Sequence, residues 1–386
     1  MKTNIKNVFS IGFCMFGTLV GAGFASGKEI WVYFAKWGSI SYLMIFLTSI
    51  WFFFCSLLFF YFGKKFQITT VQEANNKLYK KFSFISEIMV AISNILVLSS
   101  MFAGADSLLF SVMPNMPYRI ASVISAAIAV LVVCFGFSGV TKTNAIIVPL
   151  MLLCVGVIFA FKLGDGNLLI SAQHSTKLQA GFGFLYAFLF VCSNMFLSGF
   201  IFAKMGATYA KKEFVWGSAL GSALLMLSLF IITLLLFLCP EATTQDIPIV
   251  FMGASLNKQF GFFVLFVVWL GLLSTAFALL FTLTNWLKEY IKSTPICATL
   301  VVIISLLLSG IGFSSFVSFV YPSLGVLGLI YIIATMVACF KKKNLTKWLI
   351  LFLFSFLLWY NLLENWGEQK WLECSWASFC HHTKVT

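Results

Sequence analysis

Residues Gly17–Trp31 read GTLVGAGFASGKEIW and carry four glycines, small hydroxyl residues and a Lys28–Glu29 pair inside a long apolar run. Backbone unwound at Gly21-Ala22-Gly23 would expose carbonyls at the end of one half-helix and N–H groups at the start of the next. Such groups are tolerated at membrane depth only where they line a cavity or coordinate something. The N–H groups at Gly23 and Phe24, with Ser26 beside them, suit a carboxylate; the carbonyls of Gly17 and Val20 suit a small hard cation. Two other polar groups sit in apolar runs: Cys192-Ser193-Asn194, and the adjacent hydroxyls of Ser274 and Thr275. Facing the Gly17 and Val20 carbonyls, those hydroxyls complete an all-oxygen cage for which Na⁺ is the natural occupant. Plainer readings stay open. The glycines could serve close helix packing, Asn194 could bond between helices, and Ser or Thr hydroxyls often bond back to their own helix.

Three ionisable residues complete the candidates: Lys28 and Glu29 in the first apolar run and Asp106 in the third. A carboxylate in lipid is costly unless paired or wetted, so each is a candidate for gating or proton coupling. The alternative is a place near the headgroups, paired with Lys28, Lys36 or Arg119. Were either carboxylate deep, protons could replace Na⁺. Phe24, Tyr186 and Phe190 are available to shape a side-chain pocket.

These residues must be held by membrane-spanning helices. The 386-residue chain is 61% hydrophobic and 10% charged, whereas soluble domains carry about 25% charged residues. Apolar runs of about 20 residues call for helices and not a barrel. Eleven spans are expected, at 8–37, 39–62, 83–112, 117–137, 140–162, 181–203, 214–239, 261–287, 295–312, 314–340 and 346–363. The formal charge of +13 does not point to nucleic acid, because the lysines lie in short loops between spans. With the N-terminus inside, seventeen lysines fall inside and eight basic residues outside, as the positive-inside rule requires. The chain is expected in the plasma membrane with a cytoplasmic N-terminus and an external C-terminus. Eight cysteines read as packing residues; Cys374 and Cys380, in a polar tail at 364–386, could form a disulfide.

Spans 1–5 and 6–10 share one loop-length pattern: a long connection after the second span, then two short ones. Five is odd, so the second set enters the membrane upside down, the pattern of an inverted repeat. This divides a transporter-like domain at 1–363 into a first repeat (1–163), an inverted second repeat (181–340) and an extra span (346–363). The first run is thirty residues, about 45 Å as one helix against a hydrocarbon core of about 30 Å. A break at its glycines removes the excess, and the repeat then calls for a break in span 6 at Cys192–Asn194.

The segment GTLVGAGFASGKEI resembles the first-span signature of the YkvI-type membrane proteins, a family allied to amino-acid permeases in the LeuT-fold (APC) superfamily. The resemblance implies an all-α membrane protein with a 5+5 inverted repeat, broken spans 1 and 6, and alternating-access symport of a small solute. In LeuT-fold sodium symporters a G-x-x-V-G-x-G motif supplies cation-binding carbonyls and a substrate-carboxylate site. Gly17, Val20, Gly21 and Gly23 fit it. By the same resemblance Ser274 and Thr275 match the paired hydroxyls of span 8, and the region around Cys192–Asn194 matches the span 6 break. The outer-gate arginine of amino-acid symporters has no counterpart at Gly27, although Lys28 is adjacent. No acidic residue lies in the span 1 break, which counts against a second cation site.

The function expected is secondary active transport of a zwitterionic solute, an amino acid or similar, with Na⁺ coupling and no cofactor. A proton-coupled permease and a transport-inactive solute sensor are the alternatives. A membrane enzyme is disfavoured: no His lies in any span, and no pair of buried carboxylates or HExxH run appears. No P-loop is present to drive transport with ATP.

Overall fold

A chain in lipid must satisfy its backbone polar groups within itself, which apolar runs do as helices. The computed structural model describes residues 4–19, 24, 26–79, 83–113, 115, 117, 119–135, 140–164, 177–288 and 290–340, and among them every regular element is helical. The first span is two pieces, α1 (Ile5–Leu19) and α2 (Lys28–Tyr33). A 3₁₀ turn, Ala35–Ile40, leads into α3 (Ser41–Phe66), followed by a short helix α4 (Val71–Tyr79). Next come α5 (Ser83–Val112), α6 (Ile120–Phe135) and α7 (Val140–Gly164). The second half runs α8 (Lys177–Thr208), α9 (Lys211–Leu238), a 3₁₀ turn at Pro240–Thr244, α10 (Pro248–Leu256) and α11 (Lys258–Leu287). It closes with α12 (Thr294–Ser309), α13 (Phe313–Ser315), a π-helical stretch Phe316–Val320 and α14 (Tyr321–Cys339). Each half thus places a short helix, α4 or α10, between its second span and a third span of 30 residues.

Six helical segments are long and apolar enough to cross a membrane, and four shorter apolar helices complete the first ten expected spans. The eleventh expected span, 346–363, and the tail with Cys374 and Cys380 lie outside the described residues. Eight cysteines are free thiols.

The face where α1 begins (the near face) is tied together by side chains at helix ends. Glu213 accepts from Asn4 N and from Asn7 Nδ2, each at 3.1 Å. Lys65 Nζ donates to the last carbonyls of α14, Ala338 O at 3.2 Å and Cys339 O at 2.6 Å, where a cation complements the helix terminus. Thr70 and Glu73 form a capping box at the start of α4. Glu73 N donates to Thr70 Oγ1 at 3.2 Å, and the carboxylate accepts from Thr69 N and Thr69 Oγ1, both at 2.9 Å, and from Thr70 N at 3.3 Å. The Thr69 backbone N–H, then its hydroxyl and the Thr70 N–H, hold the Glu73 carboxyl below its usual range. A depressed carboxyl stabilises the box above the unfolded value of about 4.3 and loses that effect as pH falls through the folded value.

One expectation is corrected. Span 6 is not broken: α8 runs continuously through Cys192, Ser193 and Asn194. Its polar side chains bond to their own helix, Ser193 Oγ to Phe190 O at 3.0 Å, Asn194 Nδ2 to Phe190 O at 2.8 Å and Ser198 Oγ to Asn194 O at 2.6 Å. They therefore add partners to carbonyls already in the helical ladder and need no unwound turn. The connection after span 2 contains α4. The connection after span 7 contains α10, whose Pro248, Ile249, Val250 and Met252 are buried against neighbouring helices.

Close helix packing centres on α8, which lies against α3 and α14. Small residues permit this: a Cβ at Gly63 would overlap the Ala203 carbonyl, and one at Gly328 would overlap the Cys192 carbonyl. Because the obstacle is backbone, no side-chain rotation relieves it. Gly328→Ala should therefore destabilise the protein by about 1–3 kcal/mol or more, read as a lower unfolding temperature in detergent; an unchanged temperature would contradict this packing.

Candidate functional site

Gly27 interrupts the first span in the described residues. Its φ of +80° is left-handed, a conformation glycine adopts without a Cβ penalty and one that cannot continue an α-helix. This residue lies four positions beyond the glycine cluster that the sequence marked, and Phe24 and Ser26 before it are helical. Val20, Gly21, Ala22 and Gly23 lie outside the described residues. Ser26 is fully buried, and its Oγ accepts from Lys28 N at 3.1 Å at the start of α2. Phe24 is buried edge-on against Phe16, with ring centres 6.4 Å apart, and faces α7, α9, α10 and α11. Tyr186 and Phe190 pack instead on Tyr33, so the three aromatic candidates do not form one pocket wall.

Beyond Gly27 the chain places a carboxylate where no counter-ion meets it. Glu29 is only 8% exposed and makes no hydrogen bond or ion pair among the described residues. Tyr33 follows one helical turn later on the same face. The Tyr33 hydroxyl is buried with no hydrogen bond of normal geometry among the described residues, and it faces Ser193, whose Oγ donates to Phe190 O and keeps lone pairs free to accept. Across from α2, Tyr321 follows the π-helical stretch, and its OH lies 2.9 Å from Ser100 Oγ of α5. Glu29 is within electrostatic reach of both tyrosine hydroxyls. Residues from spans 1, 3, 6 and 10 thus surround one buried polar locus. A buried unpaired polar group costs roughly 1–3 kcal/mol, and an ionised carboxylate more. The locus is complete only when a cation, a proton or a polar solute occupies it.

Of the candidate cation ligands, Gly17, Ser274 and Thr275 lie within the described residues. Ser274 is buried, and Thr275 Oγ1 donates to Gly271 O of its own helix at 3.2 Å. Their helix, α11, packs chiefly on α5, α10 and α7, while α1, which carries Gly17, packs chiefly on α9. Asp106 has a structural partner: its Oδ1 accepts from Ser122 N at 2.8 Å in the first turn of α6, where a carboxylate complements the helix N-terminus.

The opposite face is closed by a knot that sequence reading missed. Lys28 Nζ donates to Gln245 O at 3.0 Å and to Thr243 O at 3.4 Å. The next residue, Asp246, accepts from Ser107 Oγ of α5 at 2.9 Å and from Ser314 Oγ of α13. Lys28, expected as a gate residue, is thus bound to the connection before α10, and that connection is bound to spans 3 and 10.

No protein-family model matches the chain. It is similar to the uncharacterized membrane protein YkvI of Bacillus subtilis (strain 168), 23% identical over 339 residues, which is 86% of this chain and 96% of that protein. Among solved structures it is similar to Mhp1 in an inward-facing conformation, with a TM-score of 0.67 at 14% identity over 86% of this chain and 75% of that one. It is also similar to MhsT in complex with L-phenylalanine, with a TM-score of 0.61 at 16% identity over 85% of this chain and 87% of that one. The chain has the LeuT fold. It is a multi-pass membrane protein whose interrupted first span and buried polar locus sit within that fold.

Within this LeuT-like frame, Tyr33, Ser100 and Tyr321 are the residues that sequence reading overlooked. A lone Tyr or Ser in an apolar span carries no local mark of its partner, and Ser100 and Tyr321 meet across 221 positions. The geometry predicts that Tyr33→Phe, which deletes an unpaired buried hydroxyl, leaves stability unchanged or raises it by about 1 kcal/mol. A lower unfolding temperature for that variant would show that the hydroxyl is already bonded.

Proposed function

We propose that this chain is a secondary active transporter that moves a small zwitterionic solute, an amino acid or close analogue, by alternating access with Na⁺ as the coupling ion. The observation that carries the reading is left-handed Gly27 in the first span, directly before α2, inside the LeuT fold. In this reading the first span offers backbone N–H groups to a carboxylate and carbonyls to a cation. Gly21, Ala22, Gly23, Phe24 and Ser26 form the solute side, together with Cys192, Ser193 and Asn194 of α8. Gly17, Val20, Ser274 and Thr275 form the ion side, and they would meet in a conformation where α1 approaches α11. The structural neighbours support a small-molecule solute: MhsT holds L-phenylalanine, and Mhp1, a nucleobase-cation-symport-1 family transporter, holds a hydantoin. In this reading the protein lies in the plasma membrane, with its lysine-rich near face in the cytoplasm.

One observation favours a second reading, proton coupling. Glu29 is buried without a counter-ion between two tyrosine hydroxyls, an arrangement that suits a carboxyl alternately binding and releasing a proton as access changes. Tyr33, Tyr186 and Tyr321 are the titratable groups around it, with Lys28 adjacent and Asp246 in the connection that Lys28 holds.

Uptake into proteoliposomes tests these readings. Gly21→Leu should abolish uptake while leaving membrane insertion intact; normal uptake would refute a site at the interruption. Ser274→Ala with Thr275→Ala should remove stimulation by a Na⁺ gradient. If uptake instead follows an imposed pH gradient and loses that dependence in Glu29→Gln, protons are the coupling ion.

A further inference from the structure

A second polar enclosure lies on the near face, well separated in the chain from the interruption of span 1. Residues 87, 90, 91 and 94 occupy one face of α5, the i, i+3, i+4, i+7 spacing. With α4 and the last turns of α11 they line a cavity of about 260 Å³. Its wall holds polar groups with nothing to bond. Asn94 is 9% exposed and makes no hydrogen bond among the described residues. Asn75 Nδ2 and Trp286 Nε1 are buried donors without partners. Glu87 adds a carboxylate with no ion pair among the described residues. The rest of the wall includes Val90, Ala91 and Phe281.

Native proteins keep few buried donors unpaired, because each costs roughly 1–3 kcal/mol. Two buried N–H donors, with the Asn94 amide beside them, call for an occupant with acceptor oxygens. The Glu87 carboxylate repels a simple anion and attracts a cation. A simple cation would leave the amide and indole donors unpaired. An occupant with a carboxylate at one end, an ammonium group at the other and an apolar side chain meets every group at once.

We propose that this cavity is a second binding site, for a zwitterionic α-amino acid with an apolar side chain. Asn75, Asn94 and Trp286 take its carboxylate, Glu87 its ammonium group, and Val90, Ala91 and Phe281 its side chain. The proposal shares with the transport reading the zwitterionic character of the solute, but it stands on different residues and can fail separately. The occupant's place lies between the helix connecting spans 2 and 3 and the inner turns of spans 3 and 8. Occupancy therefore opposes any change that separates α4 from α11.

The test is equilibrium binding of radiolabelled L-phenylalanine to the purified full-length protein. The wild type should bind two molecules per chain. Asn94→Leu should weaken one of them by about tenfold or more and leave the other in place, while Gly21→Leu should leave the cavity molecule bound. Glu87→Gln, which preserves shape, should weaken L-phenylalanine while strengthening 3-phenylpropionate, the same molecule without its ammonium group; a merely structural role for Glu87 would not reverse that preference. Binding of one molecule that is lost in Gly21→Leu and indifferent to Asn94→Leu and Glu87→Gln would overturn the cavity site and leave the transport reading standing. Absence of any L-phenylalanine binding to the wild type would overturn the cavity site as well, with water its only occupant. Retained cavity binding together with normal uptake in Gly21→Leu would uphold this site and defeat the transport reading.

Discussion

The constraint on which the rest depends is the need of a backbone N–H or C=O in hydrocarbon for a partner. A continuous helix meets that need without help, and α8 shows how firmly: Ser193, Asn194 and Ser198 all bond to carbonyls of their own helix, and the ladder does not open. The first span behaves differently. Gly27 sits at φ +80° and ends any helical register between α1 and α2. Freed groups at that depth need an occupant or neighbouring side chains. The remaining architecture places buried Ser26 before Gly27, Glu29 and Tyr33 after it, and Ser193, Ser100 and Tyr321 around the latter two.

Helices pressed tightly together give this locus its rigidity. Glycines at positions 63 and 328 let α3 and α14 touch the backbone of α8, which fixes the polar side chains of span 6 relative to spans 2 and 10. On the far face, Lys28 and Asp246 fasten the connection before α10 to spans 1, 3 and 10. On the near face, a cavity is lined by α4 and the ends of α5 and α11.

Much of this was legible in the residues themselves. Glycine spacing within an overlong apolar run marks the interrupted first span, although the left-handed residue is Gly27 and the sequence pointed to Gly21–Gly23. Run length and lysine placement yield the ten helical segments. The span 6 break was misread because small polar residues in a helix look alike whether they open a turn or bond back to it. Helix α4 had a readable mark, the Thr70-x-x-Glu73 capping box, passed over because its segment is polar. The Ser100–Tyr321 pair and the Asp246 knot had none, since each joins residues that only the folded chain makes neighbours. Asp106 shows the converse: its type suggested chemistry, and its Ser122 N–H partner gives it a structural task.

Hydrogen exchange of the backbone amides at residues 20–27, with the intact protein in lipid nanodiscs, tests the central claim most directly. An interruption that serves a solute predicts amides that exchange far faster than those of α1 and α8 and that slow when a transported amino acid is added. Protection equal to that of α8, unchanged by every amino acid, would mean that these groups are already paired within a closed helix and would contradict the account.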